Sequence, residues 1–188
     1  MPIHFEQPFT PLQPEEIPPS VATLLLMRSG LLILPEHAPT SLSELNDLRS
    51  VAHEDGDVSY LASQTKTYTQ GDIEDIIHII DASPDGEVIG WGEVRRNLTS
   101  KEDYFKDKPF VGSTHTIEER RHKGLASRRL MVMKLATSAE FSLALHSDTL
   151  FSDNNARKIW EHMVRDGLAV KYIQKGNKAA RHPRYKFN

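Results

Sequence analysis

Residues 118–130 read EERRHKGLASRRL, and the fold can be worked out from Gly124 in both directions. Upstream, Phe110 to Ile117 (FVGSTHTI) is rich in β-branched and aromatic residues and reads as a strand. Downstream, LASRRLMVMKLATSA lacks Gly and Pro and is rich in helix formers, so a helix starts there. A helix start exposes about four backbone N–H groups, which carry roughly half a positive charge between them. A phosphate is held at such a point if the chain turns tightly and no side chain blocks it. Gly124 and the small Ala126 meet that demand, and Arg121 and Lys123 add charge at the rim. A solvated basic helix face would account for the four arginines of the stretch, but not for the passage from strand through glycine to helix.

The chain has 188 residues, 38% hydrophobic and 26% charged, which is the make-up of an ordinary globular domain. A formal net charge of −3 argues against general affinity for nucleic acid. With no cysteine, disulfides, thiolate metal sites and a cysteine nucleophile are excluded. No run approaches the roughly 20 apolar residues of a membrane span. The start, MPIHFEQPFTPLQPEE, has no basic and then apolar signal region. The expectation is a cytoplasmic protein with no membrane partner.

Residues 1–20 hold six of the eleven prolines and no Lys or Arg; proline at this density argues against helix and ladder pairing, so they read as an extended proline-rich arm ahead of a domain over 21–188. The apolar ATLLLMRSGLLILPE reads as containing a first strand. SLSELNDLRSVA, with a Ser41/Glu44 capping box and Leu45, Leu48 and Ala52 on one stripe, reads as a helix. IEDIIHIID (73–81) and EVIGWGEVRR (87–96) flank Ser83-Pro84-Asp85-Gly86, the turn chemistry of a hairpin. Phe141 to His146 reads as a short buried strand. In NARKIWEHMVRDG, the residues Ala156, Ile159, Trp160, Met163 and Val164 mark one helix face, stopped at Gly167. AVKYIQ and RYKF close the chain as strands. The expected class is α/β (α+β): a mixed, mostly antiparallel central sheet flanked by helices.

Arg121-His122-Lys123-Gly124-Leu125-Ala126 resembles the Arg/Gln-x-x-Gly-x-Gly/Ala signature of the GNAT (N-acetyltransferase) superfamily. The block from Asp153 through Asn155, Ala156 and Trp160 to Glu161, closing at Gly167-Leu168, is similar to that family's Asn-x-x-Ala-x-x-Leu-Tyr-Glu…Gly-Phe segment. The resemblance implies a GNAT-type fold and transfer of acetyl from acetyl-CoA to a primary amine of a small molecule or a macromolecule. It implies that Thr116 and Ile117 end the strand that pairs with the pantetheine arm. It further implies that the backbone of Arg121, His122, Lys123, Gly124, Leu125 and Ala126 binds the pyrophosphate, and that Asn155 reaches the cofactor. Two positions depart from the pattern. Asp153 stands where the family has Asn, and Trp160 where many members have the Tyr that protonates the departing thiolate. An indole N–H only donates and is no acid at neutral pH, so that role does not pass to Trp160. The closing residues HSDTLFSDNNARKIWE and RHPRYKF also resemble acetyltransferase-like proteins of tailed phages, which favours a macromolecular host target.

Amine attack on a thioester needs orientation, carbonyl polarisation and a base for the amine proton. Glu93 and His115 are the candidate bases; their plainer readings are a solvated sheet edge and a hydrogen-bonded strand histidine. Ser152 is a candidate proton donor and equally a helix cap. His53, His78 and His122 have no close ligand spacing with a matching carboxylate, so no metal is expected. The last residues hold Lys171, Lys175, Lys178, Arg181, Arg184 and Lys186 and no acid. They form either a solvated tail or a contact for CoA's 3′-phosphate or for a nucleic acid such as charged tRNA. The alternative to an enzyme is a CoA-binding or protein-interaction module with little catalysis, favoured by Trp160 and by the lack of an obvious base.

Overall fold

The computed structural model describes residues 9–31, 37–68, 70–100, 107–121, 123–148, 154–173 and 184–188. A six-stranded sheet runs in sequential order, each strand antiparallel to the next: β1 (Thr10–Pro11), β2 (Asn46–Ala52), β3 (Val58–Thr67), β4 (Ile73–Ala82), β5 (Val88–Asn97) and β6 (Phe110–Thr116). Helices α1 (Pro19–Gly30) and α2 (Leu125–Phe141) cover its two faces, and α3 (Asn154–Arg165) leads into a second sheet of β7 (Ala169–Tyr172) and β8 (Arg184–Phe187). This is the expected α+β class, a largely antiparallel sheet flanked by helices. The anticipated hairpin forms as β4 and β5: Ser83 N–H donates to the Glu87 carbonyl at 2.9 Å, and Gly86 takes φ +83°.

Four readings of the chain are corrected. The apolar run after Val21 is a helix, not a strand. Pro19 sits in its first turn, where a missing N–H costs nothing, and Val21, Leu25 and Ser29 form the buried stripe. An apolar run with no clear period does not separate helix from strand; the proline pair before it does. In SLSELNDLRSVA the capping box is real, with Ser41 and Glu44 bonded reciprocally, but it opens only a single 3-10 turn, Leu42–Glu44. The chain then becomes β2, because pairing with β3 wins over local helix propensity; β3 is itself a strand that the sequence reading did not assign. Residues 141–146 make no strand: α2 runs to Phe141, Ser142 turns with φ +53°, and only His146 bridges to neighbouring backbone. The proline-rich stretch, where described, is not free of ladder pairing. Thr10 and Pro11 pair with Ser50 and Arg49, as an outermost strand allows for proline, and Phe9 and Ile17 are buried.

The β-sheet alternation divides the core. Leu61, Ile77, Ile79, Val94, Val111 and Met133 pack on the α2 side, with Trp160, Tyr185 and Phe187 beyond. Ala62, Ile80, Val21 and Leu25 pack on the α1 side. On the α2 side Arg129 is fully buried, its Nε donating to Asp81 Oδ2 at 2.7 Å. The pair fits only because β5 carries glycine opposite it: a Cβ at Gly90 would stand 1.9 Å from Arg129 Nη2, and one at Gly92 would stand 2.3 Å from Met133 Cε. Gly90→Ala should therefore lower unfolding stability by about 1–3 kcal/mol, the usual cost of overpacking, read as a lower urea midpoint at constant m-value. An unchanged midpoint would mean the guanidinium is not held beneath β5.

Candidate functional site

β6 is paired along its whole length with β5, but on its outer side only at its start. Phe110 forms a parallel bridge with His146, where Val111 N–H donates to the His146 carbonyl at 3.0 Å and His146 N–H to the Pro109 carbonyl at 2.8 Å. Beyond Val111 no described segment pairs with that edge. A bulge follows at once: Glu93 faces Ser113 and Val94 faces Val111, so Gly112 is left over. A cleft of about 510 Å³ opens beside this edge, with Thr114 to Thr116 as one wall, the start of α2 from Gly124 to Ser127 as floor, and Asn155, Lys158 and Ile159 of α3 opposite. A narrower cavity of about 80 Å³ continues inward between Val111–Thr114, Leu130 and Trp160; Thr114, Ala126, Ala156 and Ile159 line both spaces.

Gly124 is the N-cap of α2, with φ +78° and no side-chain cap. The glycine is needed for that left-handed conformation; a Cβ there would meet nothing within 4 Å, so the space above the amides is open. The four arginines of the opening stretch divide by role. Arg120 and Arg121 line the cleft, and Arg121 Nε donates to the Thr116 carbonyl at 3.3 Å. Arg128 instead reaches Asp55 at 2.7 Å and Asp57 at 2.6 Å, and Arg129 is held by Asp81. Among the described residues the cleft wall thus bears Arg120, Arg121 and Lys158 and no carboxylate, while Asp148 lines the narrow cavity.

Of the residues expected at the site, Thr116, Arg121, Gly124, Leu125, Ala126, Asn155 and His115 line the cleft together. Ile117 does not; its N–H is spent on the Ile89 carbonyl at 3.1 Å. Lys123 is exposed outside the cleft lining. His122 and Ser152 lie outside the described residues. His115 stacks on Trp91 with ring centroids 4.1 Å apart. His115 is exposed, yet desolvation beside the stacked indole, then the positive charges of Arg121 and Arg129, push its imidazole below the ordinary value, which favours the neutral form. Trp160 is 3% exposed, packed against Tyr185 and Phe187, and presents only an apolar wall to the narrow cavity.

Glu93 sits on the opposite, α1-facing side of the sheet. Arg28 Nη2 donates to it at 3.0 Å and Arg95 Nη2 lies 2.7 Å away. Burial alone would raise its carboxyl, but the two guanidiniums outweigh burial and hold it below the ordinary value. The same Arg28 Nη2 donates to Ser113 Oγ at 3.0 Å, which ties this cluster to the bulge. Sequence reasoning missed Arg28, since it lies on a helix read as a strand, and missed Thr114, whose two-residue spacing from Thr116 was the available signal. Among the described residues no group of three or more His, Asp or Glu side chains stands close enough to hold a metal ion, and no helix is long and apolar enough to cross a membrane.

No family model matches this sequence, and no curated protein matches it. Among solved structures, a provisionally assigned GnaT-family acetyltransferase from Bordetella pertussis aligns at 15% identity with a TM-score of 0.44, over 60% of this chain and 66% of that one. The chain thus spans just under two thirds of that protein's length, a likeness too slight to bear on activity.

The charged cluster on the α1 side generates a pH prediction. Burial pushes His78 down to about 3, so the folded chain refuses a proton that the unfolded chain takes near the ordinary 6.5. A depressed folded value means stability that is complete above the unfolded value and lost as pH falls below it. His78→Gln should therefore flatten the decline of melting temperature between pH 6.5 and about 4. An equally steep decline in the variant would show that His78 is not the buried proton acceptor.

Proposed function

We propose that this chain is an acetyl-CoA-dependent N-acetyltransferase that moves acetyl to a primary amine. The observation that carries the reading is convergence: parts of the two sequence blocks that resemble the GNAT superfamily, Arg121 with Gly124 to Ala126 and Asn155 with Ile159, are distant in the chain yet line one cleft. The start of α2, with Gly124 turned and uncapped, supplies backbone donors for a pyrophosphate, and Arg120 and Arg121 add charge beside it. The open edge of β6 offers unpaired backbone groups to the extended amide arm of the carrier, as strand addition does elsewhere. The narrow cavity of about 80 Å³ suits a small acyl group and little more.

The chemistry asks little of acid catalysis. The amine lone pair forms a bond to the thioester carbon, the C–S bond breaks, and the thiolate departs with its electron pair. The amine's surplus proton passes to a base, and His115, favoured in its neutral form and lining the cleft, fits better than Glu93, which is ionised between two guanidiniums. A second reading, a CoA-binding module with little turnover, draws on Trp160: among the described residues no tyrosine lines either space, so none of them offers a phenol to protonate the thiolate.

Isothermal titration with acetyl-CoA tests the reading. The unaltered chain should bind, and Ala126→Glu, which places a carboxylate where phosphates are expected, should weaken binding by about 100-fold or more while its melting temperature changes little. No heat from the unaltered chain sinks the proposal. With an amine panel and release of free CoA thiol as readout, His115→Gln should cut turnover by about 100-fold and leave acetyl-CoA affinity nearly unchanged. Binding without release of thiol from any amine would select the second reading.

A further inference from the structure

The geometry points to Arg129 as a positioning residue that turns the hydroxyls of Thr114 and Thr116 into hydrogen-bond donors aimed at the oxygens of an acyl carrier's extended arm, an inference that rests on the acyl-CoA reading above. A guanidinium only donates, so Thr114 Oγ1 and Thr116 Oγ1 accept from Arg129 Nη1, at 2.9 Å and 3.3 Å. Each hydroxyl keeps its own proton, directed away from the cation. Both threonines line the cleft, and Thr114 lines the narrow cavity as well. Bonded to one nitrogen at 2.9 Å and 3.3 Å, the two hydroxyl oxygens stand no more than about 6 Å apart, close to the two-residue rise of an extended chain.

Holding α2 to the sheet does not require these bonds. The ion pair with Asp81 does that: Nε and Nη2 both stand 2.7 Å from Asp81 Oδ2. The other carboxylate oxygen of Asp81 accepts from Ser59 Oγ at 2.6 Å, and His53 Nε2 lies 2.8 Å from that hydroxyl. Fixed from behind in this way, and admitted by the missing side chains of Gly90 and Gly92, the guanidinium has one nitrogen left over. That nitrogen bridges the helix that forms the cleft floor to the strand that forms its wall. Charge-assisted bonds polarise the hydroxyls they reach, which makes each a better donor.

The test titrates acetyl-CoA and, separately, 3′,5′-ADP, which keeps the phosphates but has no arm. Thr114→Val should weaken acetyl-CoA by about tenfold, the worth of one good hydrogen bond, and Thr114→Val/Thr116→Val by more. Both should leave 3′,5′-ADP within about twofold, and Thr114→Ser should recover the loss. Arg129→Lys, which keeps the charge but loses the fork, should match the double valine variant, and adding it to that variant should change nothing further. The valine variants are partly exposed substitutions and decide the matter even if Arg129→Lys does not fold. If the double valine variant binds acetyl-CoA as tightly as the unaltered chain, or loses both ligands equally, this assignment is overturned while the acyl-CoA reading stands. If the unaltered chain binds neither ligand, both are overturned.

Discussion

Everything at the cleft follows from where β6 loses its second neighbour. At Phe110 and Val111 the strand is bonded on both sides, to β5 and to the backbone at His146. One residue later the bulge at Gly112 interrupts it, and Ser147, the residue after His146, bonds to Tyr185 of β8 instead. Across the cleft from the strand stands α3, whose Ile159 lines the space and whose Trp160 packs against Tyr185 and Phe187 of β8. An edge that is neither paired nor covered must satisfy its backbone groups with water or with a ligand. Among the described residues the cleft beside it carries three cations, Arg120, Arg121 and Lys158, which on the proposed reading suits an elongated anionic ligand.

The face of the sheet toward α1 has a different economy. Arg28, Lys66, His78, Glu93 and Arg95 are clustered there with little solvent. Lys66 Nζ donates to the carbonyls of Arg28 and Leu31, at 3.1 Å and 3.2 Å, and so closes the C-terminal end of α1. Burial, more than the neighbouring charges, pushes that ammonium down to about 8. Buried ions of this kind add little net stability, because desolvation offsets their attraction. What they supply is register. Arg28 engages Glu93 on β5 and Ser113 on β6 through one nitrogen, which fixes α1 against the strand pair at the bulge. A substitution that removed only one partner would leave a charge stranded.

Much of this was legible in the sequence, and the division is physical. The hairpin of β4 and β5, strand β6, the start of α2 and the amphipathic face of α3 all carry signals within a few residues: Ser83-Pro84-Asp85-Gly86, Gly124, and the spacing from Ala156 to Val164. Where the outcome was settled by distant partners, local reading failed. Ser41 and Glu44 do form their capping box, yet Leu48 to Ala52 joined β3 because a sheet edge was available. Val21 and Leu25 are equally good as strand or helix residues until Ile80 and Ala62 are known to lie beneath them. Arg128 and Arg129 are adjacent in sequence and could not be told apart from Arg120 and Arg121 by composition. Their partners, Asp55, Asp57 and Asp81, lie 48 to 73 positions away.

The period of a strand also explains how one segment can serve two sides of a reaction. Along β6, Thr114 and Thr116 turn toward α2 and accept from Arg129, while Ser113 and His115 turn toward α1 and meet Arg28 and Trp91. On the proposed reading, the carrier lies along the edge with its arm against the first pair. The second pair is then on the side from which an amine can approach without crossing the carrier. His115 has the geometry for both, since it lines the cleft and yet stacks on the α1 side. Desolvation, then the charges of Arg121 and Arg129, hold its imidazole below the ordinary value. On that reading one cation, Arg121, serves twice: it lines the cleft where phosphates would lie, and after desolvation and together with Arg129 it holds the His115 imidazole low.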